Sequence, residues 1–113
     1  MSIQAHELLK QIESGSAPVI VDVRSGWEYR QGSVPGAIHL PFWRSWALNE
    51  TLKEKLGHPV VAYCEHGPRA VLASLFLRLR GVNTVQMLKG HMLGWRKRGL
   101  PVEKREGKSQ AVK

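Results

Sequence analysis

The sequence predicts an α/β fold: one domain in which apolar strands lie between layers of helices. Three observations predict it. Residues 19–23 (Val-Ile-Val-Asp-Val) and 60–63 (Val-Val-Ala-Tyr) are short runs rich in β-branched residues, the pattern of strands buried on both faces. Helical patterns at 5–13 and 69–80 precede the first run and follow the second, so helix and strand alternate along the chain. At 113 residues the chain can bury one real core and is too short for two.

In chain order, residues 5–13 place Ala5, Leu8, Leu9 and Ile12 on one face of an amphipathic helix. His6 belongs to that helix and reads as a solvated or core-edge histidine. Ser-Gly-Ser-Ala-Pro at 14–18 breaks it, and the strand 19–23 follows. Asp22 and Arg24 then stand at the strand's carboxyl end, where open α/β sheets place their sites. Ser25 is suited to cap a short helix carrying Trp27, Glu28 and Tyr29, and Pro35-Gly36 makes a turn before a short strand at 37–40. Asp22, Arg24 and Glu28 are candidates for ion pairs that brace a site. His39 reads as a structural hydrogen-bonding residue rather than a general base.

Between 42 and 57, Trp43 and Trp46 either line the mouth of a site or fill the core. Leu48, Leu52 and Leu56 follow a helical pattern, with Asn49 or Thr51 as its cap and Gly57 with Pro59 as its end. This segment is expected to vary with substrate.

The strand 60–63 delivers the lone cysteine, Cys64, into a loop of Glu65, His66, Gly67 and Pro68 that feeds Arg69, Ala70 and a helix ending at Gly81. A thiol placed there meets inward-pointing backbone N–H groups and the positive end of the helix dipole. Those features lower a thiol pKa and hold an anion beside it. A buried Cys64 serving as a small hydrophobe is the plainer alternative, and the loop chemistry favours the nucleophile. Only four residues separate Cys64 from Arg69, one fewer than in the Cys-x5-Arg loops that cradle phosphate. The ring of N–H groups is therefore sized for one bound sulfur and cramped for a phosphoryl group.

Within the loop, Pro68 cannot donate a hydrogen bond and does least harm as the first helical residue. Glu65 sets a carboxylate next to the nucleophile, which is expected to raise the thiol pKa and repel a dianionic donor. Arg69 either holds the anionic group of a substrate or is locked to Asp22 or Glu28. Downstream, 84–88 reads as a further strand and 89–95 opens a helix whose Trp95 packs under the sheet. Residues 100–102 close the domain, which is expected to span 1–102, and 103–113 reads as a polar, disordered tail.

Composition excludes several classes. One cysteine forbids an internal disulfide, and no paired Cys/His spacing suggests a structural zinc, so neither metal nor cofactor is expected. The net charge of +8 would attract anions, nucleic acid or acidic proteins. Its basic residues Arg78, Arg80, Arg96, Lys97, Arg98, Lys104 and Arg105 follow no recognised nucleic-acid motif and read as a solvated face. No leader pattern follows Met1 and no apolar stretch approaches a membrane span, so a soluble, cytoplasmic protein without membrane partners is expected.

Three ordered blocks resemble the rhodanese-type sulfurtransferases. Cys-x-x-Gly-x-Arg-Ala at 64–70 is similar to their active-site loop. Asp-Val-Arg at 22–24, Glu28-Tyr29 and Val-Pro-Gly-Ala-x-His-Leu-Pro at 34–41 resemble their amino-terminal signature. Leu88, Gly90 and Trp95 fit the carboxyl-terminal one, in which His91 replaces a second glycine. If that glycine stands at positive φ, His91 is strained. The resemblance implies a three-layer fold with a central, mainly parallel sheet flanked by helices. It implies that Cys64 takes a sulfane sulfur from a small anionic donor such as thiosulfate, or from a persulfide. The outer sulfur of the resulting Cys64 persulfide passes to cyanide or to a thiol, free or on a protein partner. Glu65, His66, Gly67, Pro68, Arg69 and Ala70 would line the substrate, with Asp22, Arg24 and Glu28 as support. A non-catalytic interaction or redox-sensing module is the alternative.

Overall fold

The computed structural model describes residues 2–44, 58–82 and 84–104. The described residues form a five-stranded sheet of β1 (Ser2–Ile3), β2 (Val19–Asp22), β3 (Ile38–His39), β4 (Val60–Tyr63) and β5 (Val85–Leu88). Its spatial order is β1-β5-β4-β2-β3, and every neighbouring pair is parallel. Parallel pairing forces a crossover between successive strands, and the crossovers carry helices. Here these are α1 (Ala5–Glu13), α2 (Gly26–Gln31) and α3 (Pro68–Leu79), while α4 (His91–Lys97) follows β5.

The apolar character of β4 follows from its position third of five. Val60, Ala62 and Cys64 point into a cluster with Ala70, Ala73 and Leu77 of α3, whereas Val61 and Tyr63 point into the opposite cluster. That opposite cluster holds Ala5 and Leu8 of α1, Tyr29 of α2, and Met92 and Trp95 of α4. A strand's side chains alternate between faces, so a strand covered on both must be apolar at every position. The three-layer arrangement expected from the sequence is thus present. Trp95 is fully buried, and its indole N–H donates to the Pro101 carbonyl at 2.7 Å.

Element boundaries fall within one or two residues of those predicted, a margin expected at frayed ends. β1 has no counterpart in the sequence reading. Its two residues pair with Met87 and Leu88 at the sheet edge. Glu103, assigned to the tail, makes an antiparallel bridge with Ser33, and its carboxylate accepts the Gly36 N–H at 3.0 Å. The fold therefore holds the chain at least one residue past 102. The predicted helix around Leu48, Leu52 and Leu56, its Asn49 or Thr51 cap, Trp46, Gly57, Arg105 and the remainder of the tail lie outside the described residues. Trp43 is half exposed. Among the described residues, no helix is long and apolar enough to cross a membrane.

Candidate active site

Because every strand runs the same way, their carboxyl ends share one edge. β2 and β4 are adjacent and in register, Asp22 opposite Tyr63. The residues that follow, Val23-Arg24 and Cys64-Glu65, therefore emerge side by side.

Cys64 leaves β4 at 1% exposure, and its Sγ accepts the Gly67 N–H at 2.8 Å. Gly67 stands at φ 136°, a backbone that favours glycine, and is the N-cap residue of α3. Pro68 takes the first helical position, where its missing N–H costs least. Among the described residues, the N–H groups of Glu65, His66, Arg69 and Ala70 meet no hydrogen-bond acceptor. A turn of unsatisfied donors beside a thiol is a cradle for negative charge.

Arg69 is locked to Glu28. Its two terminal nitrogens donate to the two carboxylate oxygens at 2.8 and 3.0 Å, joining the start of α3 to α2. Of the two roles open to Arg69, the geometry realises the brace. Glu28 also accepts from the Ser25 N–H and hydroxyl while Ser25 Oγ accepts the Glu28 N–H, a complete capping box. Arg69 foremost, helped by Ser25 and opposed by partial burial, holds the Glu28 carboxyl down to about 2.

Asp22 braces from below. Fully buried, it accepts the Arg24 N–H at 2.9 Å, the guanidinium at 2.8 to 3.2 Å, and the Tyr63 hydroxyl at 2.8 Å. That hydroxyl accepts the Val34 N–H, and burial pushes its pKa well up. Arg24 also donates to the Gly32 carbonyl at 2.7 Å and to Glu65 at 3.3 Å. With each guanidinium nitrogen bonded and the two charges paired, these buried groups avoid the desolvation penalty of unpaired ones. His39 donates from Nε2 to the Arg24 carbonyl at 2.7 Å and stacks on Tyr29, the structural role expected of it. Burial lowers its pKa.

Glu65 departs from expectation. Its carboxylate is paired with both Arg24 and Arg96, and the Arg96 hydrogen bond foremost lowers its pKa. With two guanidinium groups on it, the carboxylate presents little net charge to the thiol. Arg96 lies 31 residues away on α4, and nothing in sequence spacing links this basic residue to the loop. Tyr63 likewise shows in the sequence only as a strand residue, with no signal of its hydroxyl's place on Asp22.

His91 occupies φ 54°, as its substitution for a glycine foretold. A left-handed conformation costs a residue with a side chain about 1–2 kcal/mol. Beside the loop, Arg24, Trp27, Glu28, Glu65, Arg96 and Lys104 help to line an open groove of about 790 Å³. Among the described residues, no cluster of three or more His, Cys, Asp or Glu is placed to hold a metal.

Comparison with known proteins agrees with this geometry. The model of the rhodanese-like domain matches residues 4–98. A protein named sulfurtransferase from Allochromatium vinosum is 30% identical over 106 residues, 93% of this chain and 96% of that one. Thiosulfate sulfurtransferase GlpE of Actinobacillus succinogenes is 31% identical over 85 residues, 75% of each chain. An HTH-type transcriptional regulator of Mycobacterium tuberculosis, Rv0324, is 38% identical over 105 residues, which are 90% of this chain and 44% of the regulator.

Proposed function

The chain belongs to the rhodanese-like domain family, and from that premise we propose that it is a sulfurtransferase working through a persulfide on Cys64. The Cys64 thiolate attacks the sulfane sulfur of thiosulfate; the S–S bond to the sulfonate breaks, and sulfite leaves with the bonding electron pair. The Cys64 persulfide then yields its outer sulfur to cyanide or a thiolate, and the electron pair of the S–S bond returns to Cys64 as thiolate. No external oxidant is required, because the sulfur arrives already at the sulfane level.

The Gly67 N–H on Sγ at 2.8 Å, at the centre of otherwise unaccepted N–H groups, is the observation that carries this reading. Such donors stabilise a thiolate and, after transfer, a persulfide anion, at no cost in side-chain entropy. The near-complete burial of Cys64 favours a small donor. The four-residue spacing to Arg69 favours sulfur over phosphoryl transfer, and aryl phosphates are expected to remain intact. The acceptor would approach along the groove beside Glu28 and Glu65.

Intact mass after thiosulfate treatment tests the proposal. The expected result is the addition of one sulfur atom, removed by cyanide or a thiol and missing in Cys64→Ser. A folded protein that gains no sulfur from thiosulfate or from a small persulfide would leave an interaction or redox-sensing module as the better account.

A further inference from the structure

We propose that His91 is a positioning residue for Cys64, fastening both ends of the turn that sets the Gly67 N–H on the thiol sulfur. At one end, Nδ1 accepts the Cys64 N–H at 3.3 Å. At the other, the ring lies against the α-carbon of Gly67: a β-carbon added there would stand 3.3 Å from Nε2 and 3.5 Å from Cδ2. The space denied to a Gly67 side chain is therefore filled by the imidazole. Gly67 in turn donates to Sγ. The bond to Nδ1 is long, so the ring works by shape as well as by hydrogen bonding.

The backbone beneath it makes the same connection. Met92 N–H donates to the Cys64 carbonyl at 3.0 Å and Leu93 N–H to the Glu65 carbonyl at 3.2 Å, stitching the first turn of α4 to the start of the loop. His91 holds its left-handed backbone at that junction. Glycine would adopt this conformation without strain but would offer neither an acceptor nor a surface.

Accepting at Nδ1 requires the neutral imidazole with its proton on Nε2. A proton on Nδ1 would set a donor against the Cys64 N–H and expel the ring. Burial foremost, and then the charge of His66, the titratable side chain that faces it from the cysteine loop, hold the His91 pKa below its usual value. The anchor is thus kept at neutral pH and released in acid.

The inference rests on Cys64 being the reacting group, and its test reads thiol reactivity directly, without sulfur transfer. Rates of Cys64 alkylation by iodoacetamide are measured against pH for the unaltered protein, His91→Gly and His91→Asn, beside thermal melts. His91→Gly suits the backbone and should melt no lower. Its alkylation profile should shift to higher pH, and its rate at neutral pH should fall about threefold to tenfold, the scale of one weakened hydrogen bond to a thiolate. Asparagine tolerates the left-handed region and sets an amide oxygen where Nδ1 stood. His91→Asn should therefore recover much of that rate while losing the acid-side inflection. Coincident profiles for His91→Gly and the unaltered protein overturn the inference, as does an asparagine variant no faster than the glycine one. A protein that takes up no sulfur yet shows these shifts keeps the inference and removes the sulfurtransferase.

Discussion

Replacing Arg69 by alanine separates a brace from a substrate ligand. The Arg69–Glu28 pair is bidentate, with side-chain exposures of 30% and 25%. It stands between an exposed pair, worth up to ~1 kcal/mol, and a buried one, whose breakage costs about 3–5 kcal/mol. Solvent screening at this exposure places the loss near the lower figure, at about 1–2 kcal/mol. For a domain of this size that lowers the melting temperature by roughly 5–15 °C. Glu28→Gln should cost a similar amount, and a double-mutant cycle should return a coupling of about 1 kcal/mol.

The acid limb gives a second readout. The folded-state pKa of Glu28, about 2, lies below its unfolded value. The pair's contribution is therefore complete above an unfolded pKa of about 4.3 and fades as pH falls toward the folded one. Melts of Arg69→Ala and the unaltered protein, far apart at neutral pH, should converge over that interval. Sulfur transfer should persist at reduced rate. If Arg69→Ala melts like the unaltered protein while the KM for thiosulfate rises tenfold or more, the brace reasoning is wrong and Arg69 binds the donor.

Cys64→Ser keeps the shape of the loop but lacks a nucleophile and leaving group fit for sulfur exchange. It should melt within about 1 kcal/mol of the unaltered protein and show no thiosulfate-to-cyanide transfer; near-normal turnover would falsify covalent catalysis. Asp22→Asn leaves the buried Arg24 without its counter-charge and should cost about 3–5 kcal/mol in urea unfolding. A loss under 1 kcal/mol would mean that Glu65 and the Gly32 carbonyl suffice. Glu65→Gln uncovers two guanidinium groups beside the loop and should lower the KM for thiosulfate severalfold at low salt, an effect that added salt removes.

What the sequence disclosed and what it hid divide by range. Strand β4 was legible because burial on both faces writes itself as an unbroken apolar run. Ser25 and Glu28 lie three residues apart, so a cap could be anticipated there. His91 betrayed its backbone by standing in place of a glycine. Arg69 stayed open between two roles because a carboxylate of this chain and an anion of the substrate satisfy a guanidinium equally well. Its partner Glu28 is 41 residues away in sequence. The second guanidinium on Glu65 and the hydroxyl of Tyr63 on Asp22 were hidden for the same reason: only the fold sets those atoms together. β1 escaped because two residues carry no periodicity.

The bridge between Ser33 and Glu103 decides where a fusion partner would be delivered. It draws residue 103 against the segment that follows α2, and Lys104 lines the groove together with Arg24, Glu28 and Glu65. An acceptor domain inserted directly after Lys104 would therefore start beside the groove that Glu28 and Glu65 line. One joined ahead of β1 starts at the sheet edge, with β5 lying between it and β4. An affinity handle belongs on the amino side, and a tethered sulfur acceptor on the carboxyl side.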